Sequence, residues 1–250
     1  MSALPAIRWL SLFADVRAER IEPEMAFWAG VTGTTPGHPS GGRGEFIPLV
    51  PPEGDRYVWL QRIEEGFGGW HLDLHVDDVT GGSRVAVAAG ARLVRADPGL
   101  ATLTSPTGQP FCLVSETRPR RIRPPVPSWK NGRSLVDQIC FDIPAASFDT
   151  ECEFWSELTG WPRVHGSRPE FDRLELQPQL PLRVLLQRLE QDDTEGIRAH
   201  ADLSADDRLA EVGRHLDLGA TDEQPFGHWT TLTDPAGLRY CVTDRTPLPN

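Results

Sequence analysis

The sequence predicts an α+β fold that is built twice along the chain, and three observations support this prediction. Segments of the N-terminal half recur in the C-terminal half in the same order. Strand-like runs alternate apolar and polar side chains, which is typical of a sheet with one covered face. Glycine and proline number 23 each among 250 residues, which favours short elements joined by turns over a long helical bundle.

The internal repeat has a nearly constant offset. Residues 71–78 read HLDLHVDD and match residues 200–207, HADLSADD, at an offset of 129 residues. Residues 103–108 and 232–237 share this offset, whereas earlier segments match at 126 or 127 residues. Such small changes are expected from insertions and deletions in surface loops. We therefore predict a first domain at 5–117, a linker at 118–133 and a second domain at 134–246.

The elements of each repeat can be placed in chain order. Opening strands are predicted at 7–14 and 135–143. In the second repeat an amphipathic helix follows at 148–159, and Gly160 comes where a helix stop is expected, as Gly33 does in the first repeat. Further helices are predicted at 82–89 and 206–217. The remaining strands are predicted at 45–50, 56–63, 70–76, 100–104, 110–115, 170–176, 181–189, 229–233 and 238–243.

The strand at 70–76 has the clearest two-sided pattern. Leu72, Leu74 and Val76 alternate with His71, Asp73 and His75. One sheet face is therefore apolar and covered by helices, and the other is polar and open. The second repeat keeps this division in His200-Ala201-Asp202-Leu203. We expect the open face to be concave and to bind a ligand.

Composition restricts the partners and the compartment. The formal net charge of −11 argues against nucleic acid as a partner of the whole surface. Residues 117–134 are rich in proline and basic side chains, which predicts a solvated, extended connector, with a basic patch for an anionic partner as the alternative. No apolar run is long enough to cross a membrane. Four cysteines without a CxxC pair and the lack of a signal-peptide pattern predict a reduced, cytoplasmic protein.

Three segments resemble a known family. FWSELTGW after an opening strand, HLDLHVDD before a helix, and the terminal TDPAGLRYCV are similar to segments of glyoxalase/bleomycin-resistance proteins. These proteins belong to the vicinal oxygen chelate superfamily, and the resemblance covers both domains. It implies a tandem glyoxalase/bleomycin-resistance fold, in which each domain consists of two βαβββ modules forming a concave sheet cup. The family includes metal-dependent isomerases, lyases and ring-cleaving dioxygenases, as well as metal-free drug-sequestering proteins.

The resemblance also implies four metal-ligand positions in each cup, where relatives usually have His, Glu or Gln, His, and Glu. The carboxylates preferred by hard divalent ions are missing from all of these positions here. We therefore expect no cofactor and no classical metal site. The alternative is a divalent ion at a residual site in the second cup, with Asp202 as a substitute ligand. The implied positions are Trp9, Gln61, His71 and Cys112 in the first cup and Gln138, Gln187, His200 and Cys241 in the second.

The candidate site residues follow from these positions and from strand parity. His71 and His200 are candidate general bases, with inherited, hydrogen-bonded histidines as the alternative. Trp9 and Trp59 are predicted to line a cup for a flat or apolar molecule, unless they only fill its core. The predicted ligand-binding set is Trp9, Trp59, Gln61, Asp73, Cys112, Gln138, Gln187, Asp202 and Cys241.

The favoured interpretation is a metal-free protein that binds a small organic molecule in its cups. The alternative is a metal-dependent lyase, isomerase or dioxygenase of the vicinal oxygen chelate type that uses the second-domain cup. A third possibility is a structural protein with filled cups. Because single-domain relatives commonly dimerise, we expect a monomer with intrachain domain pairing or a homodimer. We expect no nucleic-acid or membrane partner.

Overall fold

The structure of the protein is a computed structural model that describes residues 6–118, 120–130, 132–190 and 196–247. Residue 5, where the first predicted domain begins, and residues 119 and 131 of the predicted linker lie outside the described residues. The helices are α1 (Ile21–Thr32), α2 (Val79–Ala88), α3 (Phe148–Thr159) and α4 (Arg208–Leu218). Short 3-10 helices at Ala18–Arg20 and Ala145–Ser147 precede α1 and α3.

The strands are short and follow one another closely along each repeat. In chain order they are β1 (Ile7–Arg17), β2 (Thr35–Pro36), β3 (Phe46–Val50), β4 (Val58–Ile63), β5 (Gly69–Val76), β6 (Arg92–Asp97), β7 (Leu100–Thr104), β8 (Pro110–Ser115), β9 (Ser128–Trp129), β10 (Gly132–Ile143), β11 (Arg163–His165), β12 (Phe171–Leu174), β13 (Arg183–Arg188), β14 (Arg198–Ala205), β15 (Thr221–Pro225), β16 (Trp229–Thr233) and β17 (Arg239–Thr243).

The strands form two sheets with the same internal order. The first sheet runs β2-β3-β4-β1-β5-β8-β7-β6, and the second runs β11-β12-β13-β10-β14-β17-β16-β15. The short β9 pairs with β10 outside this path. Each strand of the first sheet has its counterpart at the same place in the second. The predicted α+β fold, built twice, is confirmed.

Most predicted elements are present, and two differences have physical reasons. The helix predicted at 148–159 and the closing strands at 100–104 and 110–115 have the predicted bounds. Helix α2 begins three residues earlier than predicted, because Asp78 caps its N-terminus by accepting a hydrogen bond from the Gly81 N–H at 2.9 Å. Edge strands β6 and β15 were not predicted, since they are exposed almost throughout and lack an apolar alternation.

The described chain divides into two compact units. The first unit comprises residues up to Ser11, His71–Arg121 and Ile139–Ala199. The second comprises Leu12–Trp70, Ile122–Gln138 and residues from His200 onward. Each unit therefore combines one part of the first repeat with one part of the second. The domain bounds at 5–117 and 134–246, which follow the repeat, stay a prediction.

Each unit is centred on a buried tryptophan from a helix. In the first unit Trp155 of α3 stacks on Phe141 with 4.6 Å between ring centroids. In the second unit Trp28 of α1 meets Trp70 and Tyr240 edge-on, both at 5.1 Å. Trp28 and Trp155 are fully buried, which confirms their prediction as packing residues. Within the described residues, no helix is both long and apolar enough to cross a membrane.

Candidate functional site

Strand β5 carries the polar residues of the first candidate site. Alternation along β5 puts His71, Asp73 and His75 on the face opposite the buried Leu72 and Leu74. His71 and Asp73 are nevertheless largely buried, with 6% and 7% of their surfaces exposed. The His71 Nε2 and Asp73 Oδ1 atoms are 3.5 Å apart. A buried carboxylate beside an imidazole is an arrangement that polar ligands or cations use.

Two neighbouring strands add a thiol and a hydroxyl to this pair. Asp73 is in register with Cys112 of β8, and Cys112 is in register with Thr102 of β7. The Cys112 Sγ lies 3.8 Å from the Thr102 Oγ1. Burial, together with the Asp73 charge, raises the pKa of the Cys112 thiol. The thiol is therefore protonated at neutral pH unless a ligand displaces its proton.

The second repeat has the same four residue types in the same register. His200 Nε2 lies 3.2 Å from Asp202 Oδ1 on β14. Asp202 is in register with Cys241 of β17, and Cys241 with Thr231 of β16. The Thr231 Oγ1 and Cys241 Sγ atoms are 3.4 Å apart. The structure thus brings together two predicted pairs, His71 with Asp73 and His200 with Asp202.

The opening strands distinguish the two sites. Gln138 of β10 donates from Nε2 to Asp202 Oδ2 at 2.5 Å. Counted back from the 3-10 helix that follows each strand, the counterpart of Gln138 is Ser11. Trp9 was predicted at this position, because the offset of 129 residues was carried to the start of the strand. Trp9 is fully buried, and the Arg121 guanidinium lies 5.9 Å from its ring centroid.

Ser11 belongs to a chain of polar side chains that was not predicted from the sequence. Its Oγ lies 2.9 Å from His75 Nε2, and His75 Nδ1 lies 3.6 Å from Glu116 Oε2. Glu116 in turn accepts a hydrogen bond from Arg121 Nε at 2.6 Å. Burial lowers the pKa of His75, so its imidazole is neutral at neutral pH. Strand alternation indicated the direction of His75, but no sequence signal connected it with residues 64 and 41 positions away.

The other predicted ligand-binding residues lie on β4 and β13. Trp59 stacks on Phe13 with 5.5 Å between ring centroids, and the Arg56 guanidinium lies 4.7 Å from the Trp59 ring. Gln61 follows on the same strand and is half-buried. Gln187 is also half-buried, and its Oε1 lies 3.6 Å from the Cys140 Sγ. An aromatic stack that is not fully buried suits contact with a flat molecule.

The first site also fits a thiophilic divalent ion. Donor atoms of His71, Asp73 and Cys112 all lie within 4.8 Å of one another. Imidazole, carboxylate and thiolate are ligands that zinc takes, and three of them leave one position open. Within the described chain, Asp73 Oδ1 is buried without a hydrogen-bond partner, and so is Asp202 Oδ1. Asp73 lies on the same strand as His71, which is how this site regains a carboxylate that the implied positions lack.

Comparisons with known proteins agree with this fold. A family model described as a glyoxalase-like domain matches residues 11–114 and 138–243. The comparison with curated proteins found no match.

Several solved structures are similar over nearly the whole chain. A catechol 2,3-dioxygenase has a TM-score of 0.59 at 13% identity, covering 98% of this chain and 96% of its own. The 2,3-dioxygenase LapB from Pseudomonas sp. KL28 has a TM-score of 0.61 at 14% identity, covering 100% and 96%. An extradiol ring-cleaving dioxygenase from B. fuscum has a TM-score of 0.64 at 12% identity, covering 100% and 75%. At these identities the likeness shows the fold and leaves the activity open.

Proposed function

Because the chain belongs to the glyoxalase-like domain family, we propose that it binds a small organic molecule on the sheet faces that carry His71 and His200. The observation that supports this proposal is the recurrence of one set of side chains. Both repeats place histidine, aspartate, cysteine and threonine in the same register, whereas Ser11 and Gln138 differ at the neighbouring position. Packing alone does not require four polar side chains at this depth.

The cost of burial supports the same interpretation. A buried carboxylate oxygen without a hydrogen-bond partner costs roughly 1–3 kcal/mol. The described chain carries this cost twice, at Asp73 Oδ1 and Asp202 Oδ1. Residues that a fold keeps at such a cost are commonly those that serve a ligand. A bound molecule with hydroxyl or amine donors would satisfy both oxygens.

Catechol is a suitable probe, since it has two adjacent hydroxyl donors on a flat ring and is named for a structural neighbour. Isothermal titration of the full chain is expected to show binding that His71→Ala with His200→Ala weakens at least tenfold. The control is His38→Ala, because His38 is exposed. Equal affinity in the double variant and the control would contradict the proposed site.

A metal-dependent lyase, isomerase or dioxygenase is the second candidate function, and the unpartnered Asp73 Oδ1 favours it. The ion would be held by His71, Asp73 and Cys112 in the first site, and His200 with Asp202 offers the corresponding pair in the second. When bound, such an ion supplies Lewis-acid polarisation of ligand oxygens. The chain's own residues would orient the ligand beside the thiol and the imidazole. The metal-free binding protein remains the first proposal.

Cobalt titration separates these two functions. A Co²⁺ ion bound at the first site is expected to show thiolate-to-metal charge-transfer absorption, which Cys112→Ser removes or weakens. Cys152→Ala is the matched control, since Cys152 is buried in α3 away from both sites. A wild-type protein without a cobalt–thiolate band would reject the metal candidate and leave catechol binding untouched.

Compartment and assembly complete the proposal. We place the protein in the cytoplasm, with neither nucleic acid nor a membrane as a partner. The proposed assembly is a monomer or a homodimer of tandem chains. Light scattering of the purified chain measures this directly, and a larger assembly would contradict it.

A further inference from the structure

Two carboxyl groups share one buried pocket of donors in the second unit. Glu24 of α1 is 0% exposed, and Asp234, in the turn between β16 and β17, is 3% exposed. Trp28 Nε1 donates to Glu24 Oε1 at 2.8 Å and to Asp234 Oδ2 at 3.2 Å. The Ala236 N–H is shared in the same way, at 2.9 Å from Glu24 Oε2 and 3.1 Å from Asp234 Oδ1. The two side chains are therefore close enough to interact as a pair.

Two buried carboxylates at this separation cannot both ionise without a large cost. The donors that reach them are indole and backbone N–H groups, which carry no formal charge. A single proton held between the two groups removes the repulsion and turns it into an attraction.

Other titratable groups face this pair from two elements. From β17, Tyr240 has its hydroxyl 3.0 Å from His215 Nδ1. On α4, His215 also contacts Glu211, which is paired with Arg214. Arg214 is therefore bound to its own acidic partner and does not serve Glu24 or Asp234 as a counter-ion.

The other repeat provides an internal control for this contact. Glu151 of α3 corresponds to Glu24, and Trp155 Nε1 donates to it at 2.9 Å. Its partner turn has Ser105 and Thr107 where the first contact has Asp234 and Ala236. Thr107 Oγ1 donates to Glu151 Oε2 at 2.7 Å. A hydroxyl donor can hold an ionised Glu151, so this second contact needs no shared proton.

We propose that Glu24 and Asp234 form a pH-sensitive latch, in which one shared proton holds α1 on the β16–β17 turn and its loss at alkaline pH loosens the turn. Release would reach the second candidate site, because Tyr240 packs on Trp28 and is followed by Cys241. The latch would thus make the β17 side of this site depend on pH. The proposal does not depend on the proposed binding function.

The direction of the pH dependence follows from the proton balance. Burial, followed by the charge of Asp234, raises the pKa of Glu24 to about 10, and burial also raises the pKa of Asp234. A pKa that is raised in the folded state gives stability that is complete below the ordinary value of 4.5. This stability is lost as the pH rises from there through about 10. The latch therefore weakens on the alkaline side.

Hydrogen exchange of the full chain, corrected for the intrinsic pH dependence of exchange, tests this proposal. Between pH 7 and pH 10, protection of α1 and of residues 229–243 is expected to fall about tenfold or more. Protection of α3 and of residues 100–115, which contain the control contact, is expected to stay constant. Equal behaviour of the two contacts would overturn the latch.

Exchanging the turn residues sharpens the test. Asp234→Ser with Ala236→Thr installs the residues of the other turn and is expected to abolish the pH dependence. The fold should accept this change, since Ser105 Oγ accepts from the Gln109 N–H at 3.0 Å, as Asp234 Oδ1 does from the Leu238 N–H at 2.8 Å. Conversely, Ser105→Asp is expected to make the exchange of α3 sensitive to alkaline pH. A double variant that keeps the wild-type pH dependence would refute the proposal, as would a Ser105→Asp variant that gains none.

Discussion

Replacing Glu211 by alanine is expected to lower the free energy of unfolding by about 3–5 kcal/mol, because it leaves a buried positive charge without its partner. Glu211 Oε1 accepts hydrogen bonds from Ser134 Oγ at 2.5 Å and from Arg214 Nη2 at 2.6 Å. Arg214 also donates to the carbonyl oxygens of Gly30 and Val31 at the end of α1, each at 2.9 Å. One substitution therefore weakens α4 and its attachment to α1 together.

Urea unfolding monitored by circular dichroism measures this loss. Asp217→Ala is the matched control, since Asp217 is an exposed acidic residue of the same helix, and a change within about 0.5 kcal/mol is expected there. If the two variants were equally stable, Glu211 would not anchor α4.

The loss caused by Glu211→Ala should also depend on acid pH. Burial alone would raise the pKa of Glu211, but hydrogen bonds from Arg214, His215 and Ser134 hold it at about 2. Because this pKa is depressed in the folded state, the stabilisation is complete above the ordinary value of 4.5 and is lost as the pH falls through about 2. The difference between wild type and variant should therefore narrow between these values.

Replacing Trp155 by alanine is expected to cost about 3–5 kcal/mol, the typical cost of truncating a large buried aromatic side chain. Trp155 contacts Phe141 by stacking and Phe111 edge-on, with 5.2 Å between the latter centroids. The substitution also removes the indole N–H that donates to the buried Glu151. Both the cavity and the lost donor act on the first compact unit.

Thermal and urea unfolding test this second prediction, with Trp161→Ala as the control. Trp161 is only half-buried, so its truncation is expected to cost about 1 kcal/mol or less. A Trp155→Ala protein as stable as the control would show that the ring stack is not the centre of the first unit.

The sequence predicted the repeat, the helix Phe148–Thr159 and most strands, because these depend on local periodicity and on turn residues. It also predicted that His71 and Asp73 share a sheet face, since alternation along one strand fixes this. Strands β6 and β15 escaped prediction because exposed edge strands show no apolar alternation. Local pattern therefore carried the elements that bury one face and failed for those that bury none.

The contacts of the sites depend on long-range pairing, which a single sequence does not display. Ser11 meets His75 across 64 positions, and Glu24 meets Asp234 across 210. Trp9 was assigned in place of Ser11 because an offset valid at one end of the repeat was applied to the other. Burial of Asp73 Oδ1 without a partner could be found only from coordinates. The metal candidate for the first site thus arose from structure alone.

The division of each repeat between the two compact units changes how the proline-rich connector should be understood. Severing the chain there would leave both fragments with two unfinished half-units, so neither fragment would contain a complete folding unit. The connector therefore acts as a covalent tether that raises the effective concentration of complementary halves. Its length and stiffness would control the rate at which the halves find each other during folding, a kinetic role that a spacer between self-sufficient domains does not have.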